Sequence, residues 1–294
     1  MAVISAYLAP DKINEAVELI ESAGNLRVLA GGTDLLLKLR REQTEPCTVL
    51  SLKNISTLKL LEENKEGSCF IGSTVSLDSI EHSEFIREGF PALSEAAGSV
   101  GSPSLRVTAT IGGNICNASP SADMAPPLMA YGASVVIHGG NGEREVLLED
   151  FFTGPGSTVL EKGEILTGFR IPARDKAALS GFMKFGRVKA MDVATVNGAV
   201  FLIPGGKGCT SVRLVLGAVA ATPIRIFEAE KLLEGQSYPF SPEVTAEAAE
   251  AAAEAAAPID DIRASAQYRR NLVRVLVSRL LSGQKSNDGT EAAL

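Results

Sequence analysis

The spacing of hydrophobic residues in the first part of the chain changes between a helical and a strand period. Ile13, Ala16, Val17 and Ile20 recur at helical spacing, which predicts a helix over 12–23 with Asp11 as its N-cap. Short apolar runs are typical of buried strands. Such runs predict strands at 7–10, 27–30, 48–52, 58–62 and 68–72. The pattern therefore predicts a βαβ-like unit followed by a region richer in strands.

The same criteria extend this α+β pattern to the end of the chain. Helices are predicted at 35–40, 76–80, 86–98, 124–131, 245–257 and 264–281. Strands are predicted at 134–138, 144–147, 164–171, 181–186, 195–202 and 211–219. Glycine-rich hairpin turns are expected at 139–142 and 205–208. On the last helix, one face is expected to carry Tyr268, Leu272, Val275, Leu276 and Leu280.

A polar segment opened by a proline, 172–178, is the expected domain boundary. It divides the chain into a first domain, 1–175, and a C-terminal α+β domain, 176–283, with three strands and two helices. The first domain is expected to contain two subdomains, 1–55 and 56–175. Residues 284–294 are predicted to form a disordered tail.

Composition excludes several classes of function. The chain has 294 residues, of which 45% are hydrophobic and 21% charged, as is ordinary for a folded protein. The net charge of −7, without a basic stretch, argues against nucleic-acid binding. There is no run of eighteen apolar residues, so no membrane span is expected. The first residues lack the features of a secretion signal, which predicts a cytoplasmic location.

The supply of metal ligands and nucleophiles is poor. The four cysteines are widely spaced without a C-x-x-C motif, and the chain has only two histidines. This spacing argues against a metal or iron–sulfur site within the chain and against a hydrolase triad. Redox chemistry in this protein would therefore depend on a bound organic cofactor.

Two motifs, 28–36 and 110–114, each consist of an apolar run that ends at a Gly-Gly pair and small polar residues. Glycine leaves no Cβ between backbone and ligand, and successive N–H groups in such a turn can converge on one anion. In the first motif Thr33 or Asp34 is the expected cap of the helix at 35–40. Two such turns can hold one pyrophosphate from two sides. Either pair alone is more often an ordinary turn, because neither matches the G-x-G-x-x-G or P-loop pattern.

Behind the second motif, the segment 115–123 is rich in hydroxyl, amide and carboxylate groups. It is either an exposed loop or the lining of a polar site. Asp123 can accept hydrogen bonds from ribose hydroxyls, as acidic residues do in dinucleotide sites. The same residue can equally be the N-cap of the helix predicted at 124–131.

Four segments in order, 29–36, 110–114, 184–194 and 261–270, resemble motifs of the FAD-binding medium subunit of the molybdenum hydroxylases. This family contains xanthine dehydrogenases, aerobic carbon monoxide dehydrogenases and nicotinate dehydrogenase. The resemblance extends over 7–281. It implies an α+β architecture, a p-cresol-methylhydroxylase-type FAD-binding fold of two subdomains followed by the C-terminal α+β domain, which closes over the flavin.

The resemblance also implies roles for particular residues. The first motif would wrap the FAD pyrophosphate through backbone amides, the second would supply further donors, and Asp123 would bind the adenosine ribose. Leu166 would pack on the flavin ring, and Lys184 would bring a positive charge to it, although a solvated strand lysine explains Lys184 equally well. The implied cofactor-binding residues are Leu29, Ala30, Gly31, Gly32, Thr33, Asp34, Leu35, Leu36, Thr110, Ile111, Gly112, Gly113, Asn114, Asn117, Asp123, Leu166 and Lys184.

The function implied by the resemblance is electron transfer within a heteromeric molybdenum hydroxylase, an oxidoreductase. The expected partners are a large subunit with the molybdenum cofactor and a small subunit with [2Fe-2S] clusters, and the expected electron acceptor is NAD+ or another molecule. Since electron transfer needs position and potential more than acid–base residues, no catalytic proton donor is assigned, and the spacing of cysteines and histidines supplies no metal ligand. Two alternatives remain: a stand-alone flavoprotein oxidase or reductase of the same fold, and a scaffold that has lost FAD.

Overall fold

The computed structural model describes residues 4–41, 45–188 and 191–283, and the predicted tail lies outside these ranges. The strands are β1 (Ile4–Leu8), β2 (Leu26–Leu29), β3 (Cys47–Ser51), β4 (Leu61–Glu63), β5 (Cys69–Gly72), β6 (Ser134–Gly139), β7 (Gly142–Leu147), β8 (Phe152–Gly154), β9 (Ser157–Thr158), β10 (Ile165–Ile171), β11 (Leu179–Phe185), β12 (Val196–Ile203), β13 (Ser211–Gly217) and β14 (Ile224–Arg225). The α-helices are α1 (Ile13–Ser22), α2 (Leu35–Arg41), α3 (Leu77–His82), α4 (Glu84–Gly89), α5 (Pro91–Ser99), α6 (Pro103–Arg106), α7 (Ile111–Cys116), α8 (Ala125–Ala130), α9 (Phe227–Leu233), α10 (Pro242–Ala255) and α11 (Ala266–Leu281). None of the helices in these ranges has the length and hydropathy that a membrane crossing requires.

The first sheet is a three-stranded parallel sheet with the order β1-β3-β2. Neighbouring residues of the central strand β3 point to opposite faces, so Leu50 packs in one cluster with Val17 of α1 and Val49 packs in another with Leu39 of α2. The predicted N-cap of α1 is wrong by one residue: Lys12, with extended backbone, occupies that position. This sheet holds the loop between β2 and α2, which contains the first Gly-Gly pair.

The second sheet has five strands in the order β4-β5-β10-β6-β7, and its described pairs are antiparallel. The helices α3, α4, α5, α7 and α8 contribute to one large core with this sheet, which includes Leu93 and Leu128 from the helices and Ile71, Val135 and Phe169 from the strands. The loop after β5 and the start of α7 therefore lie beside each other, where the second Gly-Gly pair is found.

Two predicted elements in this region are wrong in detail. The strand predicted at 58–62 is a 3₁₀ turn, Ser56–Lys59, followed by β4, because the carbonyl of Leu58 accepts hydrogen bonds from both N–H and Oγ1 of Thr74 instead of entering a ladder. The helix predicted at 86–98 is two helices, α4 and α5. The chain leaves the helical conformation at Phe90 (φ −139°, ψ 55°), the residue before Pro91, as proline disfavours α geometry at the preceding position.

The C-terminal sheet has the order β11-β12-β13-β14, so a short fourth strand extends the predicted three. Alternate residues face two cores: Phe182 and Ala199 join the core of the first domain, whereas Met183 and Val200 pack with α9, α10 and α11. The sheet is thus covered on both sides. Its first-domain face brings residues of β11 and β12 against α5 and α8.

The buried face of α11 differs from the predicted one. Leu276 and Leu280 are buried as expected, but Tyr268 is 54% exposed and Val275 is 42% exposed. Arg269 is buried in their place, because its guanidinium donates to the carbonyls of Thr195 and Ala218 and to the carboxylate of Asp261. An arginine whose two terminal nitrogens find acceptors can enter a core that the hydrophobic pattern alone does not assign to it.

Candidate functional site

The first Gly-Gly pair lies in the tight loop between β2 and α2. Gly32 has φ +78°, a conformation that side chains with a Cβ rarely adopt. A Cβ added to Gly31 would lie 2.2 Å from the carbonyl oxygen of Thr108, so the loop touches the backbone of the segment that precedes α7. Both glycines are therefore required by the local geometry.

This loop carries a row of unused hydrogen-bond donors. Within the described residues, the N–H groups of the five successive residues 31–35 have no acceptor, and the first one engaged is that of Leu36, which donates to Gly32. Asp34 directly precedes α2, and its carboxylate pairs with Lys38 at 2.8 Å. Among the described residues, neither the Asp34 nor the Thr33 side chain accepts a hydrogen bond from a backbone N–H of α2. A row of free N–H groups ahead of a helix is a binding site for an anion.

The second Gly-Gly pair is not a turn: it lies in the first turn of α7. Thr110 is the N-cap, and its Oγ1 accepts from the N–H of Gly113 at 3.1 Å. The N–H groups of Ile111 and Gly112 donate to the carbonyls of Val75 and Ser73. A Cβ on Gly112 would lie 2.5 Å from that Ser73 oxygen, so this glycine permits close packing of α7 on the loop after β5. The expectation that this motif offers a second row of free backbone donors is therefore wrong.

A cavity of about 360 Å³ lies between the two motifs. Most of the predicted site residues line it, namely Ala30, Gly31, Gly32, Thr33, Asp34, Leu35, Thr110, Gly112, Gly113, Asn114, Asn117 and Leu166. Three predicted residues of the motifs point elsewhere: Leu29 and Ile111 are buried in cores, and Leu36 is 41% exposed on the outer surface of α2.

Asp123 and Lys184 lie together, but not in the wall of this cavity. Lys184 Nζ is 2.6 Å from Asp123 Oδ2 and 3.0 Å from the carbonyl oxygen of Ser99, and Asn197 Nδ2 donates to Asp123 Oδ1 at 2.7 Å. Burial raises the pKa of Asp123, and the contacts with Lys184 and Asn197 oppose that shift. Their expected contacts with ribose and flavin stay predictions. Asp123 is not the N-cap of α8, because Met124 occupies that position, and Lys184 is not a solvated strand lysine, because its side chain is only 12% exposed.

Several lining residues carry no signal in the sequence. Ser73 is buried, and its Oγ has no hydrogen-bond partner in the described part of the chain. Lys38 Nζ donates to Asn117 Oδ1 at 2.8 Å, which links α2 to the end of α7. Glu164 is held by two hydrogen bonds of 2.7 Å from Arg144, which lower the pKa of its carboxyl group and keep it ionised. Of these residues, only Lys38 can be identified from the sequence, because it lies one helical turn after Asp34.

The chemistry of this wall suits a dinucleotide. The N–H row forms an electropositive end for a pyrophosphate, and the Lys38–Asp34 ion pair lies beside it. Val100, Leu105 and Leu166 supply an apolar wall for a flat ring system. The unpaired hydroxyl of Ser73 is a buried polar group that a ligand can satisfy. The residues present therefore fit a flavin dinucleotide.

One other group of possible ligands is present in the described residues. The oxygens and nitrogens of Asp78, Glu81 and His82 lie close together on the surface of α3. Arg106 occupies the carboxylate of Glu81 with hydrogen bonds of 2.6 and 3.2 Å. This group is therefore best described as part of an ion-paired surface.

Comparison with known proteins identifies the family. Residues 3–174 match the FAD binding domain in molybdopterin dehydrogenase, and residues 181–283 match the CO dehydrogenase flavoprotein C-terminal domain. The chain is 31% identical over 279 residues to the xanthine dehydrogenase FAD-binding subunit of Escherichia coli O157:H7, with 95% of each chain covered. It is 31% identical to the carbon monoxide dehydrogenase medium chain of Hydrogenophaga pseudoflava, over 94% of this chain and 95% of the relative.

The fold agrees with this result. The structure matches carbon monoxide dehydrogenase from Hydrogenophaga pseudoflava, in the form that lacks the Mo-pyranopterin moiety of the molybdenum cofactor, with a TM-score of 0.91 and 30% identity, over 96% of this chain and 97% of that one. The predicted α+β FAD-binding fold is confirmed. Since the first family model spans more than half of the chain, this protein belongs to the FAD-binding subunits of the molybdenum hydroxylases, and its cofactor is FAD.

Proposed function

We propose that this chain receives electrons from the [2Fe-2S] clusters of a small partner subunit and passes them through FAD to NAD+ or another acceptor. The observation that carries the proposal is the row of five unengaged N–H groups, at residues 31–35, in the wall of a cavity that both Gly-Gly motifs line. Family membership supplies the identity of the cofactor. When bound, FAD supplies redox chemistry that the side chains of this protein do not have.

The residues of the chain bind and orient this cofactor. The N–H row holds the pyrophosphate, and Lys38, held between Asp34 and Asn117, is a further donor beside it. Glu164, ionised and fixed by Arg144, is an acceptor for a ribose hydroxyl, a role that the sequence assigned to Asp123. The apolar wall around Leu166 excludes water from the ring system. None of these tasks needs a proton donor, which agrees with the lack of an assigned catalytic acid or base.

The proposal of partner subunits rests on the relatives. Two of them are named as a carbon monoxide dehydrogenase medium chain and a nicotine 6-hydroxylase medium subunit, names that refer to multi-subunit proteins. By analogy, this chain assembles with a large subunit that holds the molybdenum cofactor and a small iron–sulfur subunit. The four cysteines are free thiols, as is usual in the reducing cytoplasm, and we propose that location.

A stand-alone flavoprotein with covalently tethered FAD is less consistent with the site. Cys116 is the cysteine that lines the cavity in the described residues. Cys116 is exposed, and the protein packed around its thiol raises the pKa of Cys116 by desolvation. A raised pKa lowers the fraction of thiolate, which is the nucleophile. FAD is therefore expected to be bound without a covalent bond.

Replacing Ser73 with alanine tests the cofactor contact of the unpaired hydroxyl. We expect FAD to bind about three- to tenfold more weakly, because a net hydrogen bond contributes about 1 kcal/mol. The apo chain should be as stable as the wild type or more stable, because the change removes a buried polar atom without a partner. Fluorescence titration with FAD and thermal unfolding measure the two effects.

Thr74→Val is the matched control for this variant. The Thr74 hydroxyl donates to the Leu58 carbonyl, so its loss should lower stability and leave FAD affinity unchanged. Unchanged FAD affinity in Ser73→Ala would show that this hydroxyl does not contact the cofactor.

The electron path is tested by coexpression with candidate large and small subunits. The purified complex should reduce NAD+ or an artificial acceptor when the molybdenum subunit is given its substrate. A complex that contains Gly31→Ala in this chain should assemble, lack flavin and lose acceptor reduction, while the iron–sulfur clusters still become reduced. Equal acceptor reduction by the flavin-free complex would contradict the proposed path.

A further inference from the structure

A second cavity lies at the junction of the first domain and the C-terminal sheet. Its volume is about 360 Å³, and it shares no lining residue with the cofactor cavity. One wall comes from the end of α4 and the start of α5, and the other from β11, β12 and the segment before β11. The charged and hydroxyl-bearing residues of its lining include Arg87, Glu88, Tyr131, Arg174, Lys176 and Ser180.

The charges around this cavity are unbalanced. The lining contains the cations Arg87, Arg174 and Lys176 and one carboxylate, Glu88, so it carries a formal charge of +2, and the partly buried Glu95 lies outside the lining near Tyr131. None of the three cations forms an ion pair within the described residues. In a chain with a net charge of −7, three cations without carboxylate partners around one hollow form a local site of positive potential.

Arg174 is held in a fixed position in this wall. Its Nη2 donates to the carbonyl of Glu88 at 3.1 Å. Its guanidinium lies against the backbone of Gly89, where an added Cβ would be 3.5 Å from Nε. One donor of the guanidinium is thus used for positioning, and its other N–H groups have no acceptor in the part of the chain that the structure describes.

The buried end of the cavity offers a hydroxyl donor. Tyr131 OH accepts from the N–H of Ala92 at 3.2 Å and lies 2.6 Å from Ser180 Oγ. Either hydroxyl can be the donor in this pair, and the one that accepts keeps its own proton for donation to a ligand. Both side chains are more than nine-tenths buried.

We propose that this junction cavity binds a small phosphate-bearing dianion, either inorganic phosphate or a phosphate monoester. The formal charge of the lining matches a dianion, and arginine with a buried hydroxyl is a donor set typical of phosphate sites. The ligand would bridge α4 of the first domain and β11 of the C-terminal domain. This site is independent of the cofactor cavity, so it does not rest on the proposed electron path.

The test measures thermal unfolding of the full chain, saturated with FAD, in inorganic phosphate at constant ionic strength. We expect Tm to rise saturably, by about 2–4 °C at about ten times Kd. Arg87→Gln and Arg174→Gln should each weaken the phosphate Kd about tenfold or more. Arg87 forms no hydrogen bond within the described residues, so its variant should fold even if Arg174→Gln does not. Adenosine monophosphate, as a second probe, distinguishes an ester from free phosphate by its relative Kd.

Two controls separate this site from general charge effects. Lys207→Gln makes the same change in net charge on an exposed hairpin and should retain the full response. Lys38→Gln removes the cation of the cofactor cavity and should also retain it, whether or not FAD binds. A Tm that does not rise with either probe, or a rise that both Arg87→Gln and Arg174→Gln retain, would overturn the proposal.

Discussion

Replacing Gly31 with alanine is expected to weaken FAD binding at least about a hundredfold. The new Cβ would lie 2.2 Å from the Thr108 carbonyl oxygen, so the loop must move away from the segment before α7. That movement displaces the N–H row at residues 31–35 from the pyrophosphate. The loss of two charge-assisted hydrogen bonds costs about 3 kcal/mol, which is about a hundredfold in Kd. Equilibrium titration with FAD measures the effect.

Two other glycines provide controls for this result. Gly206→Ala places a Cβ in open space on a hairpin and should leave FAD affinity and stability unchanged. Gly113→Ala meets only the hydroxyl of Thr110, at 2.9 Å, so a much smaller loss is expected than for Gly31. Equal losses of FAD affinity in Gly31→Ala and Gly113→Ala would indicate that the two motifs contribute similarly. This result would contradict the structure, in which only the first motif has a row of free backbone N–H groups.

Replacing Asp123 with alanine is expected to lower the free energy of unfolding by about 3–5 kcal/mol. The change leaves the Lys184 ammonium buried beside α5 without its carboxylate, and an unpaired buried charge is strongly destabilising. Asn197 also loses the acceptor for its amide. Because Asp123 belongs to the first domain and Lys184 to β11, the loss should weaken the junction of the two domains. Chemical denaturation of the apo chain measures it.

Lys184→Met removes the other member of the Asp123–Lys184 pair, and its stability is expected to depend on pH. Burial raises the pKa of Asp123, and the removal of Lys184 takes away the charge that opposes this shift. The folded variant then binds a proton more tightly than the unfolded chain. Relative to the wild type, the contribution of Asp123 to the stability of this variant should be largest below the pKa of the unfolded carboxyl group and fall as pH rises through the raised folded value. A difference in the free energy of unfolding between Lys184→Met and the wild type that does not change with pH would contradict this account of the Asp123–Lys184 pair.

The first Gly-Gly motif is predictable because part of its constraint is local. The positive φ at Gly32 favours glycine, and the following helix begins where the apolar pattern predicts it. The close approach of Gly31 to Thr108 is a long-range contact that the sequence does not show. The order of strands and helices follows from the same short-range periodicity. The fold class could therefore be predicted from hydrophobic spacing and the motifs.

The second motif was assigned incorrectly because glycine has a low helix propensity. Tertiary packing decides this segment: α7 approaches Ser73 so closely that only glycine fits at position 112. Thr110 three residues before Gly113 is a capping signal, but a weak one without a hydrophobic helix behind it. Local propensity disfavours a helix in this segment, but long-range packing favours one, and the segment is helical.

The remaining features of the site depend on contacts between distant parts of the chain. Lys184 and Asp123 are 61 residues apart and Lys38 and Asn117 are 79 apart, so neither pair can be recognised from spacing. The unpaired hydroxyl of Ser73 is equally invisible, since a serine after a strand is common in loops. These pairings form only when the elements that carry them pack together in the folded chain.

The most direct test of the central claim is the amount and state of flavin in the purified full chain. Denaturation of the protein after reconstitution with FAD should release one FAD per chain, with no flavin left on the polypeptide. The Gly31→Ala variant, prepared in parallel, should release almost none. No bound FAD in the wild-type chain, or flavin that remains attached after denaturation, would contradict the non-covalent site assigned to the cavity between the two motifs.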